Sequence, residues 1–308
     1  MEGATGDVGV RPTQDLVGET TSRDGTRIAF YATAKPAGTA RTIVLAQGLA
    51  APRMVWDPIV RYLADRYRVV TWDYRGLYRS GRPRDGETGF TIERHAEDLE
   101  AVLHATETAR AAVIGWSMGA QVALESYRRA PARHPVLVLV NGTFGRPHDH
   151  ANAGVWALDR ARPAMRLALR HPGAAKRLLS SLSGRPALTD WLQRLGVVGV
   201  TAHESGLDEL VRQLGDLDVD AFVRCLEAIG AHDAARFLPD VLAPTLVITG
   251  DHDRVTSHGL SQRMVRRLSR AELVVIPGGT HFTPLEFPEL VALRVEGFLR
   301  DHGFAPGG

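Results

Sequence analysis

Six short, mostly apolar runs recur along the chain and set the framework of the predicted fold. Each run is four or five residues long, and the segments between them are long enough to hold at least one helix. Runs that are apolar nearly throughout are typical of strands buried on both faces of a parallel sheet. The predicted strands are 42–46, 68–72, 111–115, 136–140, 245–249 and 273–276.

Segments with helical periodicity lie between these strands. In residues 92–104, for example, apolar or small residues recur at three- and four-residue spacing. The predicted helices are 55–64, 92–104, 118–129, 260–268 and 288–302. A hairpin is predicted nearer the start, where an Asp-Gly pair separates two strand-like runs. Strands that alternate with helices predict an α/β fold with a mostly parallel sheet flanked by helices.

The alternation stops between about residue 144 and residue 240. Residues 197–200 are the one candidate strand run there, and the pattern otherwise favours helices and loops inserted between two core strands. Insertions of this kind commonly form lids over active sites. The predicted organisation is a polar tail at 1–15, a core formed by 16–144 and 236–308, and a helical cap at 145–235.

The composition limits the classes of function. Of 308 residues, 44% are hydrophobic and 23% charged, which excludes a disordered chain. The formal net charge of +2 gives no reason to expect a nucleic-acid partner. Cys225 is the single cysteine, which excludes an intrachain disulfide and a cysteine metal cluster. Because no secretion signal or membrane-spanning run is found, we expect a cytoplasmic protein with a small-molecule substrate. The oligomeric state is not readable from the sequence.

One motif carries catalytic chemistry. Gly115-Trp116-Ser117-Met118-Gly119 fits the pattern G-x-S-x-G directly after a predicted strand and directly before a predicted helix. In this context the serine lies at the tip of a sharp, strained turn, with its hydroxyl directed into a cleft. Glycine on either side avoids a collision of a Cβ atom with the tight turn. We therefore expect Ser117 to be a nucleophile.

A serine needs a base, and the base needs an acid to orient it. His281 follows the last predicted strand, at the sheet edge where reactive groups of open α/β sheets gather. Asp253 follows the preceding strand and completes the chain order Ser, Asp, His that this architecture requires. Asp251 is the alternative acid, although its position favours a role in the turn. Asp98, inside a predicted helix, is interpreted as structural.

Acyl transfer also needs donors for the negative charge that develops on the carbonyl oxygen. The backbone N–H of Met118, directly after the nucleophile, is one candidate. The loop after strand 42–46 supplies the second, in which Gly48 allows a close approach of the backbone and Leu49 offers its N–H. Gln47 precedes them and is expected to steady this loop through hydrogen bonds.

Together these residues resemble the α/β-hydrolase superfamily, in particular its capped, esterase-like members. The resemblance covers most of residues 25–302. It includes residues 115–119, the segment 72–80 with its Asp and Arg-Gly, and the His loop at 281–288. It implies an eight-stranded, mostly parallel sheet with a helical cap. It also implies a serine hydrolase that uses Ser117, His281 and Asp253 and requires no metal or other cofactor.

The chain departs from the family pattern at two places. Gln47 stands where the family usually has His before Gly48, and Leu77 and Tyr78 replace a usual His-Gly pair. The first departure lies in the loop expected to supply an oxyanion donor, and the second lies at the expected edge of the pocket. A serine at position 117 also argues against haloalkane dehalogenases and epoxide hydrolases of this fold, which attack through an aspartate.

The expected reaction is cleavage of a carboxylic ester through an acyl-enzyme. The same three side chains also serve lactonases, carbon–carbon bond hydrolases, acyltransferases and perhydrolases or haloperoxidases. A protein that keeps the fold only to bind a ligand is the remaining alternative. Substrate chain length and stereochemistry depend on cap side chains, whose positions the sequence does not reveal.

Two features of the predicted cap could indicate a ligand site. Arg162, Arg166 and Arg170 share a predicted helix face, which is interpreted as a solvated surface in preference to an anion site. His148-Asp149-His150 is a single loop tripeptide, and without a second cluster it does not predict a metal site.

Overall fold

A computed structural model describes residues 16–36, 41–145, 170–182 and 215–306, together with the isolated positions 163, 167 and 213. The predicted tail at 1–15, most of the predicted cap and the tripeptide at 148–150 lie outside the described residues. Arg162 and Arg166 also lie outside them.

Eight strands form one sheet, in the order β1-β2-β4-β3-β5-β6-β7-β8. The strands are β1 (Leu16–Thr21), β2 (Arg27–Ala32), β3 (Thr42–Ala46), β4 (Arg68–Trp72), β5 (Ala111–Trp116), β6 (Leu137–Val140), β7 (Thr245–Gly250) and β8 (Ala271–Ile276). The β1–β2 and β2–β4 pairs are antiparallel, and all other neighbours are parallel. The predicted α/β class with a mostly parallel sheet is therefore confirmed.

Helices occupy the connections between the strands. They are α1 (Asp57–Leu63), α2 (Ile92–Ala105), α3 (Met118–Arg129), α4 (Pro172–Leu182), α5 (Val219–Ala231), α6 (His258–Arg267), α7 (Thr283–Glu286) and α8 (Pro288–Asp301). Short 3₁₀ turns lie at Arg53–Trp56, Gly86–Phe90, Pro131–Arg133 and Leu238–Asp240. The predicted helix 55–64 is thus split into a 3₁₀ turn and α1, with Pro58 in the first turn of the helix.

Helices cover both faces of the sheet. On one face, α2, α3 and α6 pack over the strands, with buried side chains such as Leu99, Val122 and Met264. On the other face, α1 and α8 bury side chains such as Ile59 and Val295. The central strands are covered by helices on both faces, so neither face meets water. This explains why their sequences are continuous apolar runs.

Helix α5 lies within the predicted cap and yet packs on the core. Its buried residues Ala221 and Cys225 belong to the same apolar cluster as α2 and α3. Arg82, in the loop after β4, lies 2.8 Å from Asp218, just before α5 begins. This helix therefore packs against the helical layer of the core and the loop after β4, whereas the boundaries of the cap stay a prediction.

The parallel strands bring their carboxyl ends to one edge of the sheet. The loops that leave β3 to β8 start at this edge, so residues far apart in the chain meet there. Among the described helices, none is long and apolar enough to cross a membrane.

Candidate active site

Ser117 lies between β5 and α3 in a backbone conformation that few residues adopt. Its φ and ψ angles are 55° and −115°, and its N–H donates to Val140 O at 3.0 Å. A Cβ on Gly115 would lie 2.2 Å from Gly119 O, and one on Gly119 would lie 2.1 Å from Ala46 O. The turn is therefore closed against backbone on both sides, and this holds the serine at its tip.

His281 reaches this serine from the loop after β8. Its Nε2 lies 2.9 Å from Ser117 Oγ. Trp116 Nε1 donates to the His281 carbonyl oxygen at 2.9 Å, and Glu286 accepts from the Thr280 N–H at 2.8 Å. The loop is thus tied to β5 on one side and to α7 on the other, which fixes the position of the imidazole.

Asp253 lies at the other nitrogen of this imidazole, with Oδ2 3.0 Å from His281 Nδ1. The Val255 and Thr256 N–H groups each donate to Oδ1 at 2.8 Å. Asn141 Nδ2 donates to Oδ2 at 2.6 Å, and Thr256 Oγ1 lies 2.7 Å from the same oxygen. The carboxylate is therefore buried, and both of its oxygens have hydrogen-bond partners.

These contacts determine the charge of Asp253. Burial alone would raise the pKa of its carboxyl, yet His281 and the hydrogen bonds from His281, Asn141 and Thr256 hold that pKa below its ordinary value. An ionised carboxylate can only accept, so His281 Nδ1 carries the proton. In a neutral imidazole Nε2 is then the acceptor, and the Ser117 hydroxyl donates to it.

The other carboxylates considered from the sequence have different partners. Asp251 is exposed and accepts from the Gly278 N–H at 2.7 Å, which is a turn contact. Asp98 is buried in α2 and holds Arg75, whose Nε lies 2.8 Å from Asp98 Oδ2. Of the three, only Asp253 lies at the imidazole.

The loop after β3 lies directly against the start of α3. A Cβ on Gly48 would lie 2.9 Å from Trp116 Cε3, and one on Gly119 would lie 2.9 Å from Gln47 O. The Gln47 side chain is buried and donates to Trp72 O. Gln47 therefore ties its loop to β4.

The N–H groups of Met118 and Leu49 are the two backbone donors that the sequence predicts for the oxyanion. Met118 begins α3, so its N–H has no partner within the helix and lies at the positive end of the helix dipole. No atom in the described part of the chain accepts a hydrogen bond from either N–H. Backbone N–H groups without a partner are the kind of donor that stabilises an oxyanion in acyl transfer.

The sequence interpretation missed two residues at the site. Asn141 follows β6 with a φ of 45°, and its Nδ2 donates both to Asp253 and to Thr280 O at 3.0 Å. Thr256 Oγ1 lies 2.7 Å from Asn141 O. An asparagine directly after a core strand is a signal that could have been used, because it tolerates left-handed backbone and lies at the reactive edge.

Within the described residues, no group of three or more His, Cys, Asp or Glu side chains could hold a metal ion. The interactions that surround Ser117 are instead hydrogen bonds to the imidazole, to backbone carbonyls and to backbone N–H groups.

Comparison with known proteins supports the same fold. A solved esterase, RhEst1 from Rhodococcus sp. ECU1013, is 22% identical and superposes with a TM-score of 0.75 over 93% of this chain and 99% of that chain. The enol-lactonase from Burkholderia xenovorans LB400 is 24% identical, with a TM-score of 0.73 over 92% of this chain and 100% of that chain.

A curated relative from Caulobacter sp. (strain K31) bears the name "Putative carbamate hydrolase RutD". It is 28% identical over 267 residues, which are 86% of this chain and 92% of the relative. A sequence model of the alpha/beta hydrolase fold matches residues 41–288, most of the chain. This match, together with the eight-stranded sheet and its flanking helices, shows that the chain belongs to the alpha/beta hydrolase family.

Proposed function

We propose that the protein is a serine hydrolase that cleaves carboxylic esters through an acyl-enzyme. The observation that carries this proposal is the hydrogen-bonded series from Ser117 Oγ to His281 Nε2 at 2.9 Å and from His281 Nδ1 to Asp253 Oδ2 at 3.0 Å. A hydroxyl that donates to a neutral, oriented imidazole is an activated nucleophile.

In the first half of the reaction, Ser117 Oγ attacks the carbonyl carbon of the ester and its proton passes to His281 Nε2. The carbonyl oxygen becomes an oxyanion, which the Met118 and Leu49 N–H groups stabilise. The bond between the carbonyl carbon and the alcohol oxygen then breaks. His281 returns the proton to the leaving alcohol, and the acyl group remains on Ser117.

In the second half, water attacks the acyl carbon and transfers a proton to His281 Nε2. The bond to Ser117 Oγ breaks, the serine recovers its proton, and the carboxylic acid leaves. Throughout, Asp253 keeps the imidazole oriented. Because the pKa of its carboxyl is lowered, Asp253 stays ionised and compensates the positive charge that forms on His281. The mechanism requires no cofactor.

The cap at 145–235 is part of this proposal as the element that selects the acyl and alcohol groups. Lactones, carbamates and β-diketones contain a carbonyl that the same groups could attack. A carbamate is included because the Caulobacter relative is named for that class. Turnover of p-nitrophenyl esters of increasing chain length, compared with a lactone, an aryl carbamate and a β-diketone, separates these substrates.

The decisive experiment is labelling with a fluorophosphonate probe together with turnover of a p-nitrophenyl ester. Ser117→Ala is expected to abolish both. Ser126→Ala is the matched control, because Ser126 Oγ also contacts a histidine, His134 Nε2 at 2.8 Å, but both residues are fully buried. That variant is expected to label and turn over. A wild-type protein that is never labelled would instead indicate a ligand-binding member of the family.

A further inference from the structure

Tyr78 has an unusual backbone conformation for its residue type. Its φ is +49°, in the left-handed region, where glycine is favoured and a Cβ crowds the following carbonyl oxygen. Tyrosine carries no short polar group that could compensate locally, as asparagine does. A bulky residue kept in this conformation marks a position where the side chain has a role.

The loop around Tyr78 prevents its backbone from relaxing. Gly76 N–H donates to Gly81 O at 2.8 Å, which closes the loop across its base. Ser80 Oγ donates to Asp73 O at 2.6 Å, and the Arg79 N–H donates to Asp73 Oδ2 at 3.1 Å. The conformation of Tyr78 is thus imposed by its neighbours on both sides.

The Tyr78 hydroxyl reaches the neighbouring loop after β3. It donates to Ala50 O at 2.6 Å, and Ala50 is itself in the left-handed region, with a φ of +57°. Tyr74, from the same loop as Tyr78, donates through its hydroxyl to Gln47 O at 2.6 Å. Two tyrosine hydroxyls therefore hold the carbonyls on either side of Leu49.

The Tyr78 hydroxyl keeps its proton, and so remains a hydrogen-bond donor, at neutral and moderately alkaline pH. Burial raises the pKa of its hydroxyl, and the Asp73 carboxylate raises that pKa further. The phenol therefore stays protonated, and the contact with Ala50 O does not depend on pH.

We infer that Tyr78 is a positioning residue, which fixes the 47–50 loop so that the Leu49 N–H points at the developing oxyanion. Restraining the carbonyls of Gln47 and Ala50 leaves the intervening peptide groups little freedom to rotate. A donor that is oriented in advance needs no reorganisation during the reaction. This inference rests on the proposed function, because it assigns the Leu49 N–H to the oxyanion.

The test variant is Tyr78→Phe, which keeps the ring and the backbone and removes only the hydroxyl. With a p-nitrophenyl ester we expect kcat to fall about tenfold to hundredfold, less than or near the loss of a whole oxyanion donor. KM is expected to stay within about twofold, because the ground-state carbonyl interacts weakly with the donor. Affinity for an alkylboronic acid, which forms a tetrahedral adduct on the serine, is expected to fall with kcat.

Tyr127→Phe is the matched control. The Tyr127 hydroxyl also contacts backbone, accepting from Leu242 N–H at 3.1 Å, but at the opposite edge of the sheet. This variant is expected to lose some thermal stability and to keep kcat. Ala50→Gly is the second variant, since glycine suits the φ of +57° and loosens the loop; it is expected to fold and to lose kcat in the same way as Tyr78→Phe.

The remaining outcomes separate a failure of the inference about Tyr78 from a failure of the proposed function. A folded Tyr78→Phe with unchanged kcat and boronate affinity shows that Tyr78 only packs. A rise in KM alone assigns the hydroxyl to substrate binding and also overturns the inference. If Ser117→Ala retains turnover, the proposed function fails, whatever Tyr78→Phe does.

Discussion

The side-chain amide of Asn141 lies 2.6 Å from Asp253 Oδ2 and links two loops that the chain leaves far apart. The same nitrogen donates to Thr280 O at 3.0 Å, the residue before His281. Asn141 thus holds both the carboxylate and the segment that carries the imidazole. A φ of 45° places its side chain in this position, and asparagine is among the few residues that adopt that conformation at low cost.

We expect Asn141→Gly to lower kcat by about tenfold to hundredfold with little change in KM, because the imidazole loses orientation. Glycine accepts the left-handed φ, so the change removes the side chain without adding backbone strain. Steady-state kinetics with a p-nitrophenyl ester measure the effect. Glu107→Gly, at an exposed position with a φ of 52°, is the control and is expected to keep kcat. If the two variants had the same kcat, Asn141 would not be needed to position Asp253.

Replacement of the two carboxylates near β7 distinguishes their roles. Asp253→Asn is expected to reduce kcat by roughly 10⁴-fold, because an amide neither fixes the tautomer of His281 nor compensates its charge. Asp251→Asn keeps an oxygen that accepts from the Gly278 N–H and is expected to remain near wild type. The kcat of both purified variants, with far-ultraviolet circular dichroism as a check of folding, measures the difference. Comparable losses in both would contradict the assignment of Asp253.

The turn at Ser117 is expected to reject any added side chain. Gly119→Ala would place a methyl group 2.1 Å from Ala46 O, so the free energy of unfolding should fall by about 3 kcal/mol or more and turnover should be lost. Gly297→Ala, in α8, meets only Arg300 Nη2 at 4.0 Å and should raise that free energy by about 0.5–1 kcal/mol. Urea unfolding measures both. A stable, active Gly119→Ala protein would show that the loop after β3 is not packed against α3.

Glu125 is expected to make stability depend on acid pH. Burial alone would raise the pKa of its carboxyl, but the hydrogen bonds and the positive charge of Arg128, with His232 nearby, lower it to about 2. Arg128 Nε lies 2.9 Å from Glu125 Oε2, and His232 Nε2 lies 3.7 Å from the same oxygen. A carboxyl with a lowered pKa stabilises the folded state above its ordinary value of 4.5, and this contribution disappears as the pH falls towards 2.

The matching variant is Glu125→Gln. It should lower the free energy of unfolding by about 1 kcal/mol near neutral pH, a modest figure because Arg128 is half-exposed and its charge is screened. The difference from wild type should shrink in urea unfolding at about pH 3.5 relative to about pH 7. Glu289→Gln, at an exposed position in α8, is the control and should show no comparable pH dependence. A difference that grows on acidification would have the wrong sign for this explanation.

Much of the framework was predictable because its signals are local. The apolar runs predicted the central strands, and the predicted helix 118–129 agrees with α3 to the residue. The packing partners of helix α5 could not be predicted from such local signals. Helix α5, assigned to the cap, is buried against α2 and α3, because its apolar face is covered by core residues that are distant in sequence.

By itself, the sequence determined the α/β class, the strand–turn–helix at Ser117 and the sheet edge at which His281 and Asp253 lie, since these follow from periodicity and from a five-residue motif. Only the tertiary structure decided which side chains meet. The choice between Asp253 and Asp251, the two contacts of Asn141 and the bond from Tyr78 to Ala50 all depend on side-chain direction across different loops. Strand order and packing set those directions, and they cannot be predicted from the pattern of neighbouring residues in the sequence.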